Sequence, residues 1–408
     1  MTLTILRANA LALPLADESV DLVVTSPPYW SLRAYQDNGE TYDGQIGAEA
    51  TPGEFVDALI DCTREWMRVL KPSGSMWINL GDKYNAYNGN RGEGTIQANG
   101  VRQGAPKGHG LDVKDVRAKS LIGIPWRYAI RCIDDLGLIL RAEVIWSKPN
   151  GLPESVTDRV RRSHEHWFHF TKEPRYYSAV DEIREEHAAS SLARFKQPFN
   201  AAHDAGSGPR WTTENVEPNP LGKLPGSVWT IPTEPLRVPD HLGIDHFAAF
   251  PTEWPRRIIT GWSPREVCTA CGAGRRPVSV AQRAPLDLAW RERQGIERPG
   301  TNGLGPSSLG TPANLRERTI TGYACACPDT SAPATPDRVL DPFGGTGTTA
   351  LVADVLGRHG VSVDLSADYC RLAQWRTTDP KQRAKAARVE AVEPVSDDQP
   401  DLFEEPAS

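Results

Sequence analysis

Three short stretches of this chain carry residue types whose spacing could do chemistry. The first is Thr25-Ser26-Pro27-Pro28-Tyr29-Trp30. Consecutive prolines fix two φ angles and leave carbonyls without a ladder partner, so the segment can hold hydrogen-bond acceptors rigidly. A planar ligand bearing an amino group would suit it: Ser26 Oγ and the Pro27 carbonyl can accept its two protons while Tyr29 stacks on its ring. The second is Asp341-Pro342-Phe343-Gly344-Gly345-Thr346-Gly347-Thr348-Thr349. Glycines between a strand and a helix let backbone approach a ligand at the helix N-terminus. No Gly-Lys-Ser/Thr ending follows, which disfavours a phosphate-gripping loop. Asp364 lies 17 residues beyond Gly347, where an acid would hold the ribose of an adenosyl ligand. The third is Cys268-x-x-Cys271-Gly272 with Cys325-x-Cys327, four thiols that suit a closed tetrahedral zinc site or remain free cysteines. Taken alone, a Pro-Pro-aromatic triplet also reads as a proline-capped strand end, and a lone glycine motif is weak.

The surrounding elements must bring these stretches together. Val20–Val24 is a β-branched run that the prolines end at once, so it predicts a buried strand opening into a rigid loop. Apolar residues at helical spacing predict a helix over Glu54–Leu70, stopped by Lys71-Pro72-Ser73-Gly74, with a strand at Met76–Leu80. A helix at Ile124–Leu136 and a strand at Ile139–Trp146 follow. Near the end, Arg338–Leu340 reads as a strand, Asp341–Gly347 as a turn, Thr348–Leu356 as a helix and Val361–Asp364 as a strand. This alternation is that of an α/β sheet. Asn85–Lys119, rich in glycine, reads as a surface loop, and Ala284–Thr319 as similarly loop-like.

The 408 residues leave room for two or three domains. An apolar content of 39% excludes wholesale disorder, while 35 glycines and 34 prolines predict long loops. No apolar run reaches membrane-spanning length and the start lacks a signal-peptide order, which reads as cytoplasmic with no membrane partner. Seven cysteines, an odd number, argue against a disulfide framework. Cys62, Cys132 and Cys370 fall in predicted helices and read as core or partly buried thiols. A net charge of −6 argues against indiscriminate coating of nucleic acid but leaves room for a local basic groove. Candidates for its phosphate-binding rim are Arg159, Arg161, Arg162, Lys172 and Arg175, then Arg256, Arg257, Arg265, Arg275 and Arg276. His164-Glu165-His166 fails as a zinc-protease motif because Phe168 occupies the second ligand position.

Together, the first two stretches resemble motifs of the S-adenosylmethionine-dependent DNA amino-methyltransferases, the N4-cytosine/N6-adenine class. TSPPYW is similar to the catalytic Ser/Asp/Asn-Pro-Pro-aromatic motif, and DPFGGTGTT to the methionine-binding Asp-Pro-Phe-x-Gly-x-Gly-Thr motif. The catalytic motif comes first, which matches the permuted β group. Leu121–Trp126, Ile145–Asn150 and Ser163-His164-Glu165 through Tyr176-Tyr177 resemble intermediate segments, and His246–Pro251 the helix-opening motif before the cofactor loop. Family members often have Gly-Asp where this chain has Ala8-Asn9, a departure that Asn9 can answer with its side-chain oxygen.

The resemblance implies a Rossmann-like methyltransferase sheet in circularly permuted order. Residues 1–177 would be its catalytic part, 178–228 a target-recognition region, 229–264 a return to the sheet domain, 265–335 a zinc-knuckle insertion, 336–385 the cofactor part and 386–408 an acidic disordered tail. Catalysis would fall to Ser26, Pro27, Pro28 and Tyr29, with Trp30 backing the stack. S-adenosylmethionine would be bound by Asn9, Phe250, Asp341, Phe343, Gly345, Gly347, Thr348 and Asp364, and structural zinc by Cys268, Cys271, Cys325 and Cys327, as in cysteine knuckles of related enzymes. The 178–228 region and the cysteine insertion would read bases. The implied activity is methyl transfer to the N4 amine of a cytosine flipped out of double-stranded DNA, because Ser-Pro-Pro-Tyr is commoner among N4-cytosine enzymes. Adenine N6 is the alternative. A binding or sensing module without catalysis is disfavoured by intact Ser26, Tyr29, Gly345 and Gly347. Homodimerisation and a cognate restriction nuclease are the further partners such a family implies.

Overall fold

The computed structural model describes residues 3–31, 36–37, 40–41, 44–85, 116–151, 153–195, 218–244, 249–283, 316–329 and 331–389. The predicted loop cores 86–115 and 284–315, residues 196–217 of the recognition region, His246–Ala248 and the tail beyond Val389 lie outside the described residues.

Eight strands form one sheet. In chain order its members are β1 (Leu3–Arg7), β2 (Val20–Thr25), β5 (Leu70–Leu80), β6 (Ile139–Ser147), β7 (His164–Thr171), β8 (Val228–Thr230), β13 (Arg338–Asp341) and β14 (His359–Asp364). Two-residue strands β3 (Gln36–Asp37) and β4 (Glu40–Thr41) pair with each other. Across the sheet the order is β1-β14-β13-β2-β5-β7-β6-β8. Only β7 runs antiparallel to its neighbours. Val20–Thr25 is buried at every position, as a central parallel strand must be.

Helix α1 (Pro52–Val69) starts two residues before its predicted position because Thr51 and Glu54 form a reciprocal capping box. Strand β5 begins at Leu70, so the segment that stops α1 already belongs to the next strand. The α2 helix (Ile124–Asp134) ends two residues short of the expected Leu136. Helices α1 and α2 cover one face around Phe55, Leu59, Trp66 and Tyr128. The other face is packed by α4 (Glu253–Trp262) and α5 (Thr348–Val355), with Trp77, Trp167, Trp229 and Trp254 between them and the sheet. After β14 come α6 (Ala367–Thr378) and α7 (Pro380–Ala387), so α7 runs two residues past the boundary expected for the tail. Cys62 and Cys132 are buried and Cys370 is half-buried. A short α3 (Ala189–Phe195) lies in the 178–228 region.

From β13 the chain crosses through α5 to β14 on one side, and from β2 through α1 to β5 on the other. The strand order therefore reverses between β13 and β2, where open α/β sheets form a ligand crevice at their carboxyl edge. The cysteine insertion occupies the opposite edge. Its β9 (Val267–Cys268) pairs with β12 (Ala334–Thr335), which directly precedes β13. Its ribbon, β10 (Arg276–Arg283) with β11 (Arg316–Ala324), shows that the flanks of the expected 284–319 loop are strands. Among the described residues no helix is long and apolar enough to cross a membrane.

Candidate active site

The two motif loops meet at the switch point. Strands β2 and β13 pair in parallel, Leu22 with Val339 and Val23 with Leu340, and the residues that follow are tied by one carboxylate. Asp341 Oδ1 accepts from Thr25 Oγ1 at 2.7 Å and from the Phe343 N–H at 3.2 Å, while Oδ2 accepts from Thr349 Oγ1 at 2.8 Å. Thr349 is also 3.3 Å from the Val24 carbonyl. Asp341 is 1% exposed, and burial pushes its pKa up to about 6 against the opposing pull of Thr25 and Thr349. The sequence pointed to Asp341 as a ligand contact. The structure makes it the joint between the loops.

Ser26 and Tyr29 converge on Asn79 at the end of β5. Asn79 Nδ2 donates to the His166 carbonyl at 3.1 Å, which orients the amide so that Oδ1 faces the loop. That oxygen accepts from Ser26 Oγ at 3.2 Å and from the Tyr29 hydroxyl at 2.8 Å. Glu165 Oε2 lies 2.7 Å from the same phenol, whose single proton can serve one acceptor at a time. Lys148 pairs with Glu165 and sits 4.1 Å over the Trp146 ring. The Tyr29 ring rests on Gly81: a Cβ there would lie 2.6 Å from Tyr29 Cε2, so only glycine permits the approach. Trp30, expected to back the stack, is instead 2% exposed, lies in the α1-side core and donates to the Glu49 carbonyl at 2.9 Å. It anchors the loop from beneath because its indole is too apolar to leave the core.

In the glycine loop, Gly345 takes φ +49° and its N–H donates to Asp364 Oδ2 at 2.9 Å. Asp364 Oδ1 accepts from the Ser366 N–H at 2.9 Å. The nearest atom to a Cβ built on Gly345 is the Phe343 carbonyl oxygen at 3.9 Å, so one side of the loop is open. Gly347 caps α5 at φ +74°, and Thr348 opens that helix. Phe343 turns its ring edge-on to Trp66 at 5.9 Å, and Phe250 does the same to Trp167. Asn9 follows β1, whose Arg7 pairs with Asp364. Its Oδ1 accepts from the Leu11 N–H at 2.9 Å, leaving a second lone pair.

Sequence reasoning missed Thr25 and Thr349 as partners of Asp341, Asn79 and Glu165 as partners of Tyr29, and Lys148 as the partner of Glu165. The usable signal was Asn79, an amide inside an apolar run read as a strand.

The four cysteine sulfurs lie within 4.8 Å of one another, close to the roughly 3.8 Å spacing of tetrahedral zinc thiolates with Zn–S bonds of about 2.3 Å. Gly272, at φ +69°, donates to the Cys268 carbonyl. Backbone N–H groups of Cys271 and Ala270 draw the Cys268 thiol down to about 7. The expected basic rim is divided by the sheet. Arg159, Arg161 and Arg162 lie in the β6–β7 connection at the carboxyl edge, where Arg159 stacks over Tyr84 at 3.7 Å and Arg162 donates to the Asp82 carbonyl. Lys172 instead donates to the Met67 and Leu70 carbonyls ending α1. Arg275 and Arg276 belong to the cysteine insertion at the amino edge. A strand of six residues spans about 20 Å, so the insertion stands a sheet's height from the motif loops.

The chain is similar to known proteins. The N6_N4_Mtase model, described as DNA methylase, matches residues 20–267 and 311–375. The Type II methyltransferase M.SmaI of Serratia marcescens is 30% identical over 366 residues, covering 89% of this chain and 85% of that protein. The Type II methyltransferase M.Cfr9I of Citrobacter freundii is 37% identical over 230 residues, covering 53% and 70%. Among solved structures, PvuII DNA methyltransferase (cytosine-N4-specific) aligns with a TM-score of 0.51 at 17% identity, over 96% of this chain and 94% of that one, a likeness of fold. With two motif loops joined at the switch point and a family match over most of its length, the chain belongs to the N6_N4_Mtase family of DNA methylases and is a DNA methyltransferase.

Proposed function

We propose that the protein transfers a methyl group from S-adenosylmethionine to the exocyclic N4 amine of a cytosine flipped out of double-stranded DNA. The observation that carries this reading is the Thr25–Asp341–Thr349 joint, which holds an amine-accepting loop beside an open glycine loop. The glycine loop fits an adenosyl donor. Gly345 has an open side, and Asp364, whose carboxylate accepts from the Gly345 and Ser366 N–H groups, stands beside it as the acid we assign to the ribose. Asn9, Phe250, Phe343, Gly347 and Thr348 complete the surroundings we assign to the donor. When bound, S-adenosylmethionine supplies an electrophilic methyl group on sulfonium.

The chain's own residues do the rest. Ser26 directs its proton to Asn79 Oδ1, so the Oγ lone pairs face outward and can accept from the target amine. The Pro27 carbonyl, which Pro28 holds rigid, accepts the second N–H. Tyr29, set by Gly81, Asn79 and Glu165, offers its ring to the extruded base and offsets part of the few kcal/mol that flipping requires. Alignment and hydrogen bonding draw out the amine lone pair, and no covalent enzyme adduct is needed. Arg159, Arg161 and Arg162 serve as phosphate contacts at the carboxyl edge. Residues 178–228 return to the sheet through β8 beside β6 and are assigned to target recognition. The four cysteines are assigned structural zinc. The Type II designation of the relatives supports a cognate nuclease as partner.

Cytosine N4 is preferred because Ser26 stands at the first position of the motif and the fold neighbour is cytosine-N4-specific. The test is digestion of DNA modified by the purified protein, followed by mass spectrometry of the nucleosides. N4-methylcytosine is expected, and Tyr29→Ala should remove most of it. N6-methyladenine would transfer the reading to the alternative base, and neither product would reject both.

A further inference from the structure

Arg376, on α6, is 3% exposed and lies beneath the glycine loop. One of its terminal nitrogens donates to both Thr346 Oγ1 and Thr348 Oγ1, at 2.6 Å each. Its Nε is buried without a hydrogen-bond partner. Among the described residues no carboxylate forms an ion pair with it. Glu234, the acid that acts on it, engages Thr252 and Lys385 instead. Burial draws the guanidinium pKa down to about 10, and a buried charge without a counter-charge is destabilising unless something else uses it.

The two threonines suggest that use. A guanidinium occupying both hydroxyl oxygens obliges the hydroxyl protons to donate elsewhere. The hydroxyls are 3.2 Å apart, so one proton can serve the pair and the other is left for an acceptor. Thr346 belongs to the glycine loop and Thr348 begins α5, whose N-terminus adds positive potential at the same place. The arrangement favours an anion.

We propose that Arg376 is a positioning residue for the carboxylate of the methyl donor, setting Thr346 and Thr348 and placing a positive charge behind the loop that receives the donor's amino-acid end. This rests on the assignment of the glycine loop to S-adenosylmethionine. The proposal is tested on the full chain by calorimetric titration with S-adenosylhomocysteine and with S-adenosyl-3-thiopropylamine, which lacks only the carboxylate. Arg376→Met should weaken S-adenosylhomocysteine about tenfold and leave the decarboxylated compound within about twofold, while Arg376→Lys keeps part of the preference. Equal loss for both ligands, or loss for neither, overturns the proposal. Wild type binding neither compound would instead overturn the donor site itself. Should Arg376→Met not fold, Thr346→Ala meets the same criterion: a selective loss supports the role and an unselective or absent loss overturns it.

Discussion

The contact between Tyr29 and Glu165 offers a stringent test of how the ring proposed to stack on the base is held. Glu165→Gln keeps the size of the side chain but removes its charge and disturbs the pair with Lys148. A hydrogen bond to a charged group contributes about 1.5–3 kcal/mol. Glu165 and Lys148 side chains are 14% and 19% exposed, so water replaces the bond poorly. Asn79 Oδ1, however, lies 2.8 Å from the same hydroxyl and can take its proton. The net loss should then be about 1 kcal/mol, or about fivefold in kcat/KM. Methyl transfer to DNA would be measured for wild type, Glu165→Gln, Tyr29→Phe and the double variant. If Glu165 acts through the phenol, Glu165→Gln changes kcat/KM by less than about twofold once the hydroxyl is gone. Fold-losses that simply multiply in the double variant would refute the reasoning and give Glu165 a role independent of Tyr29.

Two further outcomes follow from the buried groups. Asp341 has a folded pKa of about 6, above its value of 3.8 in the absence of structure, so the folded state holds a proton that the unfolded chain releases, and stability falls as pH rises from about 4 through 6. The contribution is at most about 2–3 kcal/mol, and Asp341→Asn should flatten that part of a Tm-against-pH profile; an unchanged slope would show that Asp341 does not carry it. Asp337, pushed up to about 8 by burial, keeps a residual slope of the same sign in both proteins. For the cysteine site, metal analysis should find about one zinc per chain, lost together with thermal stability in Cys268→Ser; wild type without zinc would leave the four thiols as an unliganded cluster.

Local structure was legible because it depends on neighbours. The β-branched run before two prolines and the glycine turn before Thr348 each became the strand or helix expected, to within a few residues, and the capping box at Thr51 explains an early start. The two motifs that resemble the family's were legible too, as residue types in fixed order. The supporting shell was harder to see. Asn79 and Glu165 reach Tyr29 across 50 and 136 positions, from strands whose apolar patterns say which face is buried but not which neighbour stands beside them.

Taken alone, the amino-acid order determined which segments become strands and helices, where the two motif loops fall, and which cysteines could share a metal. Tertiary structure decided the rest. Pairing of β2 with β13 set Thr25 against Asp341 over 316 positions, and strand direction put the cysteine insertion and several of the basic residues expected at the phosphate rim at the edge opposite the motif loops. The reason is physical: backbone preference and side-chain periodicity act over roughly a turn or a strand, whereas strand neighbourship is settled by burying both faces of one sheet at once.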